Sequence, residues 1–301
     1  MEATAADTHI AWPHKAEEAP PRLQSLGRFV RSSPIGTVAA VFLVALILTA
    51  IFAVQIAPYD PLVSDYSISR SPPTAEHPFG ADQLGRDTLS RIIHGARVSL
   101  FVALVSVLLG DSIGLVWGIA SGFYGGRFDL ISQRLLDTLL SFPGLILAML
   151  LLVGLGAGLQ TVIIAIAVTR VPLATRVIRS VVLSVRNLAY VEAARGLGSS
   201  NTRVMLLHIL PQCIAPFLVI VSANIGVAIT TEAALSFLGI GVPPPTPTWG
   251  NMLGGVLAES FRPPWWLVVY PGVLLTVTVL AANLFGDAVR DFLDPKLRGV
   301  T

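Results

Sequence analysis

Long apolar runs alternate with short polar stretches along most of the chain, and the runs set the expected elements. The first run, Ile35 to about Ile56, contains no ionisable residue. Roughly 20 such residues in a helix cover a hydrocarbon core of ~30 Å. Further runs extend over Val98–Ser121, Leu139 to about Leu155, about Leu159–Leu173 and about Gln212–Leu235. The last begins at Trp265 and Trp266, which read as anchors at the membrane surface, and ends near Phe285. Pro143 lies near the start of the third run, which a membrane helix tolerates when neighbours satisfy the freed carbonyl. The pattern predicts an all-α integral membrane protein with six transmembrane helices.

The polar stretches have characters of their own. Pro58–Gly95 is irregular at first, being rich in Pro and Ser. From Asp82 its pattern turns helical, with Leu84, Leu89, Ile92 and Ile93 on one side. This predicts a short interfacial helix leading into the second span. Gly122–Asp137 reads as a glycine turn followed by an amphipathic helix, and Gly154–Gly158 as another turn. The fourth span is expected to continue as a helix carrying Arg170, Arg176, Arg179 and Arg186. Ser236–Pro264 reads as a long loop. Residues 1–34 form a polar tail, flexible except for a helical pattern near Leu23–Val30. The resulting layout is 1–34 tail, 35–97 first span and external segment, 98–287 five-span core, and 288–301 polar tail.

One polar island stands out, Tyr190–Pro211 (YVEAARGLGSSNTRVMLLHILP). Ala193 and Ala194 favour helix, and the pattern through Val191 predicts a continuation of the helix from the fourth span. Gly196 and Gly198 can end it, because Gly suits the left-handed C-terminal cap. Ser199 or Ser200 can cap a second helix, whose apolar positions are Val204, Leu206, Leu207 and Ile209. Pro211 is expected to end that helix. Such an elbow, taken on its physics alone, serves equally well as an ordinary connection or as a docking element for another protein.

Composition strengthens the membrane assignment. Apolar residues make up 53% of the 301, charged residues 13%, and the mean hydropathy is +0.74. A soluble domain carries about 25% charged residues. The net charge of +2 gives no reason to expect nucleic acid as a partner. Cys213 is the single cysteine, and the five histidines are dispersed, so neither an intrachain disulfide nor a metal-ligand pattern is present. Of the 20 Lys and Arg, Arg70, Arg86, Arg91, Arg97 and Arg262 fall outside if the N-terminus is cytoplasmic. All the others fall inside. That bias fits the positive-inside rule and places both termini, and the island, in the cytoplasm. Two acids lie within spans, Asp111 and Glu232. Each must face the bundle interior, a watery cavity or a polar partner, and for Asp111 a hydrogen-bonded packing role is preferred to a transport role. No phosphate-cradling G-x-x-x-x-G-K-[ST] loop occurs. If the chain drives transport, the energy comes from elsewhere.

Glu192-Ala193-Ala194, then Gly198, then Leu210-Pro211 resembles the EAA motif of binding-protein-dependent ABC importer permeases. His208 stands where the general pattern has isoleucine, and HILP resembles the dipeptide/oligopeptide/nickel branch. His77–Leu100, Gly122–Asp129, Glu232–Leu253 and Gly286–Gly299 are similar to the same branch. The matches occur in order and resemble its second permease subunit.

The resemblance implies a type I ABC importer transmembrane domain without catalytic activity of its own. It implies that Glu192, Ala193, Ala194 and Gly198 dock on a cytoplasmic ATPase, with Leu210 and Pro211 passing the motion to the fifth span. It also implies partners: a second homologous permease, two ATP-binding subunits that hold ATP and Mg, and an extracytoplasmic solute-binding protein. The setting would be the bacterial inner membrane. Di- or oligopeptides lead as cargo, with nickel chelates as the alternative. Glu232 fits a packing or gating role there. Asp111 departs from the family pattern and is, with Glu232, a candidate for the substrate path. An ion-gradient transporter or a membrane scaffold acting alone are the readings from other classes.

Overall fold

A computed structural model describes residue 30 and residues 33–259 and 261–293. The tail positions below 30 and above 293 lie outside the described residues, including all of the expected helical pattern at Leu23–Val30 except Val30 itself. Among the described residues the chain is helical, with no strand. Nine helices carry the architecture: α1 (Pro34–Ile51), α2 (Thr88–Tyr124), α3 (Gly126–Leu140), α4 (Gly144–Leu155), α5 (Leu159–Val185), α6 (Ala189–Gly196), α7 (Leu210–Phe237), α8 (Trp249–Glu259) and α9 (Trp265–Leu293). Among the described residues, five segments are long and apolar enough to cross a membrane: α1, α2, α5, α9 and the run Asn201–Phe237 that contains α7. The pair α3 and α4, bent by 89°, makes a sixth if it is one broken span.

The bend has a local cause. Pro143 lacks an N–H and disfavours helix at Phe142, so α3 stops at Leu140 and α4 starts beyond the proline. The expected third span is thereby shortened. Twelve residues of α4 reach only ~18 Å. The first run also breaks, at Phe52, before a last helical turn at Ala53–Ile56. The expected interfacial helix from Asp82 starts instead at Thr88. The Asp87 carboxylate caps it by accepting the Ser90 N–H at 2.8 Å, and it runs unbroken through the second span.

The rigid centre is the seam between α2 and α5. Gly110, Gly114, Gly118 and Gly122 recur every four residues on α2, so they share one face. A Cβ at Gly110 would lie 2.4 Å from the Ala167 carbonyl oxygen, and one at Gly114 2.5 Å from Ala174 Cβ. At Gly118 and Gly122 it would come within 2.7 Å and 2.8 Å of Thr175 and Val182. Small residues at such spacing let membrane helices approach closely, where dispersion and not hydrophobic burial holds them. A core of Val102, Val107, Val162, Ile166, Ile229 and Trp249 packs around one end of the bundle.

The expected loop after the fifth span contains a helix, α8. Thr248 and Asn251 cap it reciprocally: Asn251 Oδ1 accepts the Thr248 N–H at 3.0 Å, and Thr248 Oγ1 accepts the Asn251 N–H at 3.1 Å. Trp249 is fully buried and donates its indole N–H to the Ile92 carbonyl at 3.1 Å. Pro243–Pro245 only precede the helix.

Candidate functional site

The island folds as an elbow at one end of the bundle. Its first helix does not continue α5, which ends at Val185; α6 begins anew at Ala189. A second small core seats α6. Val191 is fully buried among Phe123, Ile178, Val182, Val204 and Ile209. The Arg195 guanidinium lies 4.7 Å from the Phe123 ring centre, within cation–π range.

Gly198 closes the elbow at φ +83°. The Ser199 N–H donates to the Ala194 carbonyl at 3.1 Å, and the Gly198 N–H to that of Arg195 at 2.9 Å. These two bonds are the Schellman pattern, in which a left-handed residue satisfies the last free carbonyls. The next helical stretch, Asn201–Val204, starts with Ser200 Oγ accepting the Arg203 N–H at 3.4 Å. It does not end at Pro211. A π-helical turn, Met205–Ile209, carries it into α7. The wider turn, closed by the Leu210 N–H on the Met205 carbonyl, absorbs the bond that Pro211 cannot make. The elbow's second arm and the span are therefore one continuous helical rod, Asn201–Phe237, with α6 joined to it through the Gly198 turn.

Glu192, Ala193 and Gly198 are exposed, Ala194 is half-buried, and nothing lies within 4 Å of where a Gly198 Cβ would be. Leu210 is half-buried and Pro211 exposed. Leu197, which sequence reasoning passed over, stands 88% exposed at the tip. Its signal was available: one large apolar residue between two glycines in a polar island.

Polar ties hold α5 to α2 and α3. Arg179 grips Asp129 of α3 through two nitrogens, with Nε at 2.6 Å. Arg176 pairs with Asp137, and Arg186 donates to the Gly122 carbonyl at 2.8 Å. Three of the four arginines expected on the extension of the fourth span thus tie it to neighbouring elements at the elbow end.

Arg170, the fourth, lies elsewhere. It was counted with the cytoplasmic cations, but it lies within the bundle. Its Nη1 donates to Asn224 Oδ1 at 3.0 Å, and Asn224 Nδ2 donates to Asp111 Oδ2 at 3.0 Å and Oδ1 at 3.3 Å. Asp111 is 0% exposed. The bridge joins α5, α7 and α2. Glu232 is also fully enclosed, about two turns further along α7. Its Oε1 accepts the Ser236 hydroxyl at 2.7 Å, and Ser236 Oγ accepts the Val242 N–H at 3.3 Å. Glu232 therefore helps hold the loop after α7. Both acids are fully buried within this chain.

Comparisons with known proteins agree with this architecture. Residues 114–299 match the family described as "Binding-protein-dependent transport system inner membrane component". Residues 24–73 match "N-terminal TM domain of oligopeptide transport permease C". The chain is 41% identical over 273 residues to a glutathione transport system permease protein of Escherichia coli O1:K1 / APEC, covering 90% of each. It is 40% identical, with the same coverage, to the corresponding protein of Shigella boydii serotype 4 (strain Sb227). The inward-facing MetNI methionine ABC transporter shares the fold, with a TM-score of 0.55 at 18% identity over 67% of this chain and 96% of that one. An amino acid ABC transporter solved with histidines gives 0.51 at 17% identity, covering 66% and 92%.

Proposed function

The chain belongs to the family of binding-protein-dependent transport system inner membrane components, the permease subunits of ABC importers, and we propose that it carries short peptides and is driven through its elbow by partner ATPases. Glu192, Ala193, Ala194 and Gly198 are the contact, Leu197 adds an apolar tip, and Leu210 and Pro211 join the contact to α7. The observation that carries this reading is the elbow's one-sidedness. Its inner face is seated by Val191 and its outer face is bare. The small residues there let a partner's backbone approach closely, and a rod continuous with α7 transmits a push as a rigid body.

The elbow side is the cytoplasm, by the bias of basic residues, so both termini are cytoplasmic and the membrane is the bacterial inner membrane. The chain before α1 and beyond α9 then lies on that side, flanking the first span with its external segment (35–97) and the five-span core (98–287). ATP and Mg are held by two partner subunits, since this chain has no nucleotide loop. A second permease completes the path, and a solute-binding protein delivers cargo to the face that carries α8. Asp111 acts through the bridge to Asn224 and Arg170, and Glu232 through the loop it holds; both shape the path from behind its lining. Peptide cargo is supported by the 41% identical relatives, which are glutathione transport permeases; nickel chelates are the second reading, from the branch resemblance.

Reconstitution with the partner subunits in proteoliposomes tests the proposal. Binding-protein-dependent peptide uptake should require ATP and this chain together. Uptake by this chain alone on an ion gradient would refute it.

A further inference from the structure

A cavity of about 210 Å³ opens at the end of the bundle opposite the elbow, between the Asp82–Arg86 turn, the start of α2, α8 and the start of α9. Two arginines in its wall, Arg86 and Arg91, face a single acid, Asp82. Arg86 Nε donates to Asp82 Oδ2 at 2.7 Å, and Arg91 Nε lies 3.4 Å from the same oxygen. Asp82 is otherwise engaged by the Leu84 and Arg86 N–H groups, both at 2.9 Å from Oδ1. Asp87, nearby, is taken up by His77 and Ser90. No second carboxylate among the described residues is within ion-pair distance of either arginine. One positive charge is left without a counter-charge.

The donors are left over as well. Arg91 spends Nη1 on the Pro61 carbonyl at 3.0 Å. Arg86 has no acceptor for its two terminal nitrogens among the described residues, although its side chain is only 10% exposed. These nitrogens are therefore free to meet whatever fills the cavity. Water filling the cavity would satisfy the donors, but it would not neutralise the charge.

We propose that this cavity is a carboxylate-binding site, taking a monocarboxylate on a short apolar chain. The planar guanidinium fork matches a carboxylate in two parallel hydrogen bonds. A single surplus charge suits a monoanion better than a phosphate dianion. The opposite wall is apolar, with Met252, Val256 and Leu267, and suits the hydrocarbon next to the acid. The volume equals about seven water molecules at ~30 Å³ each, so the ligand is small. A peptide C-terminus has this chemistry, but the site is defined on this chain alone and does not depend on the cargo.

The test uses the full chain in phosphatidylcholine nanodiscs, with N-acetyl-alanine as probe and N-acetyl-alaninamide as its uncharged control. Binding is read by saturation-transfer NMR. The acid should bind at least tenfold more tightly than the amide. Arg86→Gln should bring the acid to the level of the amide. Gly255→Leu should do the same with both arginines intact, because residue 255 lines the cavity and a Cβ there meets only Gln83 Nε2 at 3.7 Å. If Arg86→Gln does not fold, Gly255→Leu decides. Equal binding of acid and amide, or acid binding that survives both substitutions, overturns the proposal. So does tighter binding of dimethyl phosphate than of N-acetyl-alanine, which would assign the site to a phosphodiester.

Discussion

Glycine does opposite work at the two ends of this molecule's mechanics. Along α2, Gly110, Gly114, Gly118 and Gly122 stand where another helix already occupies the space of a side chain. At the elbow, Gly198 stands where nothing does, and its need is conformational, at φ +83°. The seam spends its small residues on contact within the chain. The elbow leaves its small residues unmatched, beside an exposed Leu197. An element that is rigidly seated on one side and bare on the other makes physical sense when the missing half comes from another protein.

Substitutions can break this comparison at either end. The largest effect is expected at the seam. Gly114→Leu would drive a side chain into Ala174 and the Thr175 backbone. Overpacking of this degree should cost on the order of 4 kcal/mol or more, seen as loss of the monodisperse chain in detergent. Next is the polar bridge: Asp111→Leu strands Asn224 and Arg170 inside the bundle, costing about 3 kcal/mol. A thermal melt of the purified chain measures this, and Asp111→Asn should recover most of it. Gly198→Leu meets no neighbour but must hold a left-handed backbone, at about 1–2 kcal/mol. Its melt should shift slightly, while ATPase activity in the assembled importer uncouples from uptake. Smallest for stability is Glu192→Lys, on an exposed position, within about 0.5 kcal/mol; coupled uptake should still fall at least tenfold. If Gly114→Leu and Gly198→Leu destabilise the chain equally, the contrast between the two ends is wrong.

Much of this was legible in the chain. The six apolar runs correspond to the spans and the bent pair, because a run without charges has few alternatives to a membrane helix. Gly198 and Ser200 were readable because cap chemistry is local. What escaped depends on tertiary contact. Arg170 follows a run of apolar residues in the same way a cytoplasmic cation would; only Asn224 and Asp111, distant in sequence, show that it is inside. The glycine stripe was visible at four-residue spacing, but its meaning requires α5 against it. Pro211 was read as a stop because a π turn cannot be anticipated from one sequence. The helix α8 was hidden by the prolines before it, although Thr248 and Asn251 carried a capping signal with Asn in the place usually held by Glu or Gln.

The central claim, that the elbow's bare face is covered by the ATPases, can be measured directly. Cys213 is the single cysteine and is buried, so Leu197→Cys provides one accessible thiol at the tip. Maleimide labelling of that thiol should be rapid in the chain alone and at least tenfold slower once the ATPase subunits are bound. Tyr66→Cys, exposed outside the elbow, should label at the same rate in both. Equal labelling of Leu197→Cys with and without the ATPases would contradict the coupling role of this elbow.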